Sequence, residues 1–252
     1  INRSCNSSGE SYISPATTES CHPSAEITCY LAIAGGIAVA PVLGSRSTYL
    51  RAGLGGLQGR ALKAGDRLPA GAPTALGARL AGLLAAERGD RPFATPGWSV
   101  AADLDPSLRQ SPHVRVLPGL QATSFDRDSL AAFHAERYTI SPRSDRMGYR
   151  LEGPALSLSQ PRDLLSEAVT TGTVQVPPEG KPIVLMADAQ STGGYPRIAQ
   201  VIEADLPVLG QLRPGDVLRF VPVGLGEAEE RRRRARLDLR RLAAGVMVHA
   251  GM

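Results

Sequence analysis

A cluster of small and polar residues around position 190 has the composition of a site for an acyl carbonyl. The apolar run 183–186 is continuous, as in a strand buried on both faces, and it stops before Asp188 and Gln190. Thr192–Gly194 follows, and consecutive glycines let backbone N–H groups converge on a carboxylate or an oxyanion. Asp188 suits a base or an orienting group. Spacing alone fits equally well an ordinary Gly-Gly hairpin beside a solvated aspartate.

Two arginines upstream could hold an anionic substrate. Arg146 and Arg150 lie close to the start of a predicted strand, and a guanidinium binds carboxylate or phosphate through two parallel hydrogen bonds. In an alternating strand, however, Arg150 faces the same way as Glu152. A simple surface pair between these two residues is therefore the alternative interpretation.

Several standard catalytic and nucleotide-binding motifs are absent from the sequence. The only Gly-Lys pair is Gly180-Lys181, and Gln175 stands where a P-loop needs its first glycine. In Gly53–Gly59, Gln58 replaces the last glycine of a dinucleotide fingerprint, so this stretch is interpreted as a turn. The four histidines form no H-E-x-x-H pair, and no G-x-S-x-G elbow exists.

The cysteines do not predict a metal site. All three lie within the first 29 residues. Cys21, His22 and Cys29 lack a fourth ligand, and their spacing fits no common zinc template. We therefore predict no bound metal.

The charge distribution argues against a nucleic-acid partner. The 252-residue chain carries a net charge of +4, and residues 227–241 hold seven arginines against four acidic residues, or +3 of that total. Glu227 precedes Arg231 by four positions, and Glu229 and Glu230 precede Arg233 and Arg234 in the same way, as in a solvated helix. No aromatic residue interleaves the arginines to stack on bases.

Hydropathy predicts neither a membrane span nor a secretory signal. No run approaches the roughly 20 apolar residues that a spanning helix needs. The chain begins without a basic segment followed by an apolar stretch. We therefore predict a cytoplasmic protein with no membrane partner.

The elements that must position these groups are short strands joined by tight turns. Gly (27) and Pro (20) are abundant while aromatics are 4%, which favours a β-rich protein. Residues 30–68 alternate short apolar runs with glycine turns, as in strands and hairpins. Helices are predicted from the Thr74 cap to Gly89 and over Asp126–Glu136. Further strands, with the spacing of an antiparallel barrel or sandwich, are predicted at His113–Gly119, Arg137–Ile140, Tyr149–Glu152, Thr173–Val176, Pro182–Ala187, Arg197–Glu203 and Val217–Val221.

Four segments, in this order, resemble one known family. They are Ser144–Pro154, Gln175–Pro178, Ala187–Pro196 and the two pieces Ala204–Pro207 with Gln211–Asp216, and the segments Tyr30–Ile37 and Leu43–Thr48 extend the likeness to residues 29–223. The family is that of the C subunit of 5-oxoprolinase, also called biotin-dependent carboxyltransferase or allophanate hydrolase subunit 2, with KipA-like members. The resemblance implies a mainly β fold, with cyclophilin-like β-barrel subdomains, a few short helices and a C-terminal helix.

The resemblance also implies a division of the chain. Residues 1–28 do not resemble the family, and their polar composition predicts disorder. Residues 29–90 would be the remnant of an N-terminal β subdomain, 91–223 the C-terminal cyclophilin-like barrel, and 224–252 an Arg-rich helical tail. The N-terminal motifs of the family are missing, so the chain is expected to be truncated there.

The function implied by the resemblance is that of one member of a complex. Together with the A and B subunits of 5-oxoprolinase, such a chain takes part in the ATP-dependent hydrolysis of 5-oxo-L-proline to L-glutamate; the ATP site is not located by the sequence. Neither Lys63 nor Lys181 has a Met-Lys-Met context, so no covalent biotin is expected. The alternatives are the carboxyltransferase component of a biotin-dependent urea or amide carboxylase, and a KipA-like regulator that binds a kinase-inhibitor partner.

Site residues follow from the resemblance and the chemistry together. Asp188 is assigned to proton handling, and Arg146 and Tyr149 to anion and carbonyl contacts, as the catalytic group. The substrate-binding group, which orients the substrate or binds an oxyanion or phosphate, is Gln175, Gln190, Thr192, Gly193, Gly194 and Tyr195.

Overall fold

The structure, a computed structural model, describes residues 2–5, 11–14, 31–91, 94–97, 112–160 and 164–251. The chain forms two compact units. One consists mainly of Cys29–Ser99 with the chain end Ala243–Met252, and the other mainly of Val100–Leu242. All the site residues assigned from the sequence belong to the second unit.

The described part of the first unit includes a small sheet and the helix Ala75–Arg88. Strands β1 (Asn2–Cys5), β2 (Ser11–Ser14) and β3 (Leu68–Pro69) pair in that order, antiparallel throughout. The sequence predicted disorder over residues 1–28, and β1 and β2 depart from that prediction. The rest of that range, with Cys21 and His22, lies outside the described residues, as does Cys29.

Helix α1 (Ala75–Arg88) confirms the prediction made from its caps. The Thr74 hydroxyl accepts a hydrogen bond from the Gly77 N–H at 3.1 Å, and the helix ends at Gly89, whose φ is 56°. A hydroxyl at the N-cap satisfies one of the free amides of the first turn, and a glycine takes up the left-handed backbone after the last turn.

The strands predicted between residues 30 and 68 are not present in residues 31–67. The chain there makes isolated bridges, Val42 with Ser45 and Tyr49 with Leu54, within a series of turns. Gly35 shows the reason, because a Cβ at that position would lie 2.1 Å from the carbonyl oxygen of Gly71. The apolar runs are broken by glycines that serve close backbone approach, and this prediction of strands was wrong.

The second unit is built on a closed barrel of seven strands. It comprises β4 (His113–Pro118), β5 (Tyr138–Ile140), β6 (Gly148–Glu152), β8 (Thr173–Gln175), β9 (Ile183–Leu185), β11 (Arg197–Val201) and β12 (Val217–Pro222). Their order around the barrel is β11-β4-β12-β5-β6-β9-β8, closing between β8 and β11. Within this barrel only the β4–β12 pair is parallel. The mainly β, barrel-based fold predicted from the sequence is confirmed.

Alternation along the strands fills the barrel. In β4, Val114 and Val116 are buried while Arg115 between them faces outward. Helix α2 (Arg127–Ala135), whose Asp126 cap accepts from the Ser129 N–H at 2.7 Å, supplies Phe133 to the core. The Phe133 ring stacks on Phe220 of β12 with centroids 4.5 Å apart. Burial of these aromatic rings dominates the packing of the barrel.

Two further strands form a ribbon that belongs to no larger sheet. Strand β7 (Glu167–Ala168) pairs antiparallel with β10 (Thr192–Gly193), so that Thr192 is opposite Ala168 and Gly193 opposite Glu167. The Val169 N–H donates to the Ser191 carbonyl at 2.9 Å and extends the pairing by one bond. We call residues 167–169 and 191–193 the ribbon.

The last elements are a short helix α3 (Leu206–Gly210) and a long helix α4 (Leu225–His249). The helical tail predicted from the charge pattern is thus present. Glu227 pairs with Arg231 at 2.8 Å as predicted, whereas Arg233 pairs with Glu230 rather than with Glu229. Among the described residues, no helix is both long and apolar enough to cross a membrane.

Candidate functional site

The residues assigned to one site from the sequence lie at two places along strand β9. In the barrel, Gln175 at the end of β8 is opposite Ile183, where β9 begins. Asp188 follows the end of β9, and Arg146 precedes Gly148, which is opposite Leu185. Because β-strands rise about 3.3 Å per residue, the two groups are separated along the barrel wall. The sequence could not show this, since the chain returns from Asp188 to Gln175 through the ribbon.

The first place is an ion pair between Arg146 and Asp188, which we call the exposed pair. The Arg146 Nη2 atom lies 3.0 Å from Asp188 Oδ2, and the Asp188 N–H donates to the Arg146 carbonyl at 3.0 Å. The side chains are 70% and 49% exposed. Water screens such a pair, so it contributes little to stability, but both groups are open to an anion or a polar ligand from solution.

The second place is a polar layer on the outer face of the barrel. Val174 points into the core, so its neighbours Thr173 and Gln175 point outward. Gln175 is nevertheless only 2% exposed, because the ribbon covers it. Its Nε2 atom lies 3.4 Å from the Tyr195 carbonyl oxygen, and a Cβ at Gly193 would approach that nitrogen to 2.6 Å. Position 193 therefore has no room for a side chain.

Arg197 lies beside Gln175 in this layer. The two are opposite each other in the β11–β8 pairing. Arg197 Nε donates to Gln121 Oε1 at 3.1 Å, Nη1 donates to the Ala168 carbonyl at 3.0 Å, and Nη2 pairs with the Glu167 carboxylate. We call Gln121, Gln175 and Arg197 the covered layer. Its side chains are hydrogen-bonded, as burial of polar groups demands.

The segment after the ribbon carries the remaining assigned residues. Thr192 and Gln190 are exposed, Gly194 is partly buried, and Tyr195 is 46% exposed. A Cβ at Gly194 would lie 3.3 Å from the Leu164 carbonyl oxygen, so the backbone is closely packed there as well. Residues 192–195 thus lie over the covered layer, and the face of this segment that points away from the barrel is open to solvent.

Tyr149 lies apart from both places. Its side chain is 6% exposed and belongs to the barrel core, where the hydroxyl donates to the Leu212 carbonyl at 3.1 Å. Burial, and secondarily the charge of Asp216, raises the pKa of this hydroxyl. In this arrangement Tyr149 positions β6 against the loop before β12 and does not face Arg146.

The surface pair considered for Arg150 does not form. Arg150 is exposed, while Glu152 instead pairs with Lys181 and, at 3.7 Å, with Arg143. The Lys181 ammonium lowers the pKa of Glu152 by a side-chain hydrogen bond. These contacts stabilise the β6 edge and leave the Arg150 guanidinium facing solvent.

Sequence reasoning missed Arg197 and Gln121. Arg197 follows the resembling segment directly, but nothing in its spacing indicates that it lies opposite Gln175. Gln121 is 76 positions away and meets Arg197 only through the β4–β11 pairing. In the part of the chain that the structure describes, no group of three or more His, Cys, Asp or Glu could hold a metal ion.

Comparison with known proteins places this barrel in a family. A family profile described as "Carboxyltransferase domain, subdomain A and B" matches residues 19–222. The chain belongs to this family. The match starts ten residues before position 29, where the predicted resemblance began, and it includes both the exposed pair and the covered layer.

Two curated relatives and one solved structure are similar over most of the chain. The chain is 45% identical over 199 residues to the C subunit of 5-oxoprolinase from Escherichia coli strain K12, covering 79% of this chain and 57% of that protein. It is 41% identical over 210 residues to the C subunit of 5-oxoprolinase from Haemophilus influenzae, covering 83% and 60%. The crystal structure of K. lactis urea amidolyase superposes with a TM-score of 0.64 at 27% identity, covering 82% of this chain and 13% of that one. The chain thus spans less than two thirds of the 5-oxoprolinase subunits that it matches.

Proposed function

We propose that this carboxyltransferase-domain chain is part of an ATP-dependent 5-oxoprolinase complex that hydrolyses 5-oxo-L-proline to L-glutamate. The observation that carries the proposal is the 45% identity over 199 residues to the C subunit of a 5-oxoprolinase. The A and B subunits of such a complex are the proposed partners, and the complex is the proposed consumer of ATP. The cytoplasmic location predicted from the sequence stays a prediction.

The chemistry of a lactam explains what the site must supply. Water adds to the ring carbonyl, the C–N bond opens, and the former carbonyl oxygen bears negative charge on the way. Fixed hydrogen-bond donors aimed at that oxygen stabilise the charge. The backbone of Thr192–Gly194, fixed over Gln175 by a contact that excludes any side chain at Gly193, supports this role. Tyr195, beside it, is assigned to substrate binding.

The exposed pair is proposed to handle charge and protons. Arg146 binds an anionic group of the substrate through its guanidinium, and Asp188 accepts or orients a proton. Gln190, two residues beyond Asp188, is assigned to orientation. The carbonyl contact predicted for Tyr149 requires its hydroxyl to leave Leu212, so we propose for Tyr149 a role in holding β6.

The experiment is reconstitution with the partner proteins. The full-length polypeptide is combined with its A and B subunits of 5-oxoprolinase, and glutamate and ADP are measured with 5-oxo-L-proline as substrate. Glutamate release that requires ATP and this chain is the expected result. ATP-dependent release of equal rate without this chain would exclude the proposal.

The carboxyltransferase component of a urea or amide carboxylase is the second candidate, favoured by the superposition on urea amidolyase. In that reaction a carboxyl group moves from carboxybiotin to an amide nitrogen. The same reconstituted sample is therefore assayed with urea, bicarbonate and a biotinylated carrier. Biotin-dependent ATP consumption with urea, in place of glutamate release, would favour this second function.

A further inference from the structure

The ribbon is attached to the barrel by polar contacts, and its own pairing is short. Each strand of the ribbon contributes two residues to the ladder, Glu167–Ala168 and Thr192–Gly193. A ladder of this length specifies its register weakly, and a slip of one residue exchanges the two faces of a strand. A slip would bring the side chain of Thr192 over Gln175, where even a Cβ has no room. That close packing opposes a slip, and directional contacts to the rest of the barrel would hold the register further.

Arg197 makes the contacts that can do this. On the barrel side, its Nε and its backbone N–H both donate to Gln121 Oε1, at 3.1 and 3.2 Å. On the ribbon side, Nη1 donates to the Ala168 carbonyl and Nη2 pairs with Glu167. The guanidinium is planar and rigid, so these bonds fix the position of β7 along the barrel. The side chain is only 16% exposed, which limits screening by water.

An apolar contact at this place would attach the ribbon to the barrel as strongly as the polar contacts of Arg197 do. The polar character of the attachment is therefore informative about its role. Replacing buried charges by packed apolar side chains is often neutral or stabilising. Apolar contacts, however, are not directional and tolerate a slip. The guanidinium fork, the buried Gln121 and the close approach at Gly193 together restrict the register of the ribbon.

We propose that Arg197 is a positioning residue, which fixes the register of the ribbon so that the backbone amides of Thr192 and Gly194, which alternate with the Gly193 amide that faces β7, face the reacting carbonyl. The kinetic part of this inference rests on the proposed function. It predicts that loss of the fork lowers kcat, since the donors are misplaced, and changes KM little. A misplacement of about 1 Å at a reacting centre lowers rates by about 100-fold.

The kinetic test uses the reconstituted complex with four variants. Arg197→Met keeps the alkyl stem and removes the fork, Arg197→Lys keeps the charge, and Glu167→Gln weakens one bond of the fork at a half-exposed side chain. Arg143→Met is the matched control, since it removes an exposed arginine paired with Glu152. We expect kcat to fall about 10- to 100-fold in Arg197→Met, less in Arg197→Lys and Glu167→Gln, and to stay unchanged in Arg143→Met. KM should stay within about threefold.

A second readout does not depend on activity. Hydrogen exchange is measured for peptides that cover residues 165–171 and 190–195, in wild type and in the four variants. We expect faster exchange, by about 10-fold or more, in Arg197→Met and Glu167→Gln and not in Arg143→Met. Unchanged exchange in both of these variants would overturn the positioning role, even if Arg197→Met were too unstable to assay. If the wild-type complex releases no glutamate, the proposed function fails, and the exchange data still decide what Arg197 does.

Discussion

Two arginine–carboxylate pairs lie near opposite ends of strand β9, in different surroundings. Arg146 and Asp188 are 70% and 49% exposed, so both side chains remain largely in water. Arg197 is 16% exposed, and its nitrogens bind Gln121, Ala168 and Glu167. The first pair is open to a ligand and contributes little to stability. The second is hydrogen-bonded within the fold, and we propose that it acts on the chemistry only through the ribbon.

Gly193→Val should have the largest effect of these substitutions, because the new side chain would enter the covered layer from the ribbon. A Cβ there lies 2.6 Å from Gln175 Nε2, so a side chain at position 193 has to displace the buried Gln175 amide. We expect a destabilisation of about 1–3 kcal/mol from overpacking. With displaced backbone donors, kcat in the reconstituted complex should fall by about 100-fold or more.

Gly210→Ala is the control for that substitution. Nothing lies within 4 Å of a Cβ at position 210, which is in helix α3. Urea unfolding and kcat are measured for both variants. Equal kcat values for Gly193→Val and wild type would remove residues 192–194 from the proposed oxyanion site.

Asp188→Asn tests the exposed pair and should lower activity while leaving stability nearly unchanged. The substitution removes the carboxylate charge from a half-exposed pair, so the free energy of unfolding should change by less than about 0.5 kcal/mol. If Asp188 handles a proton, kcat should fall by about 100-fold. Arg146→Ala should mainly raise KM for 5-oxo-L-proline, because it removes a binding contact.

Both variants are measured by urea unfolding and by glutamate release. Unchanged turnover in Asp188→Asn and Arg146→Ala together would remove the exposed pair from the proposed site. A large loss of stability in either would show that the pair is less exposed in the assembled complex than in this chain.

Tyr149→Phe should have the smallest effect and decides between two roles for the hydroxyl. In the structure the hydroxyl donates to the Leu212 carbonyl inside the core. Its removal leaves that carbonyl without this donor and should destabilise the fold by about 1 kcal/mol. The measurement is the midpoint of urea unfolding. A drop in kcat with an unchanged midpoint would instead support the carbonyl contact predicted from the sequence.

The sequence by itself determined the seven strands of the barrel and the helices α2 and α4, but not the ribbon strands β7 and β10 or the helix α3. Alternation at Val114 and Val116 and the Glu–Arg spacing of α4 are local patterns, and each gave the correct element. Residues 31–67 were predicted wrongly for a related reason. Their glycine turns look like hairpins, while close approach of distant backbone, as between Gly35 and Gly71, is not visible in a local pattern.

Only the tertiary structure decided how the candidate site is divided. Asp188 and Gly193 are only five positions apart in the chain. The strand pairing nevertheless places Asp188 beyond the C-terminal end of β9. Gly193 lies over Gln175, which is opposite Ile183 at the N-terminal end of β9. Arg197 and Gln121 entered the site through pairings that join residues 76 positions apart. Periodicity reports which way a side chain points within one strand. Register between strands, which is set by packing and long-range hydrogen bonds, determines which side chains meet.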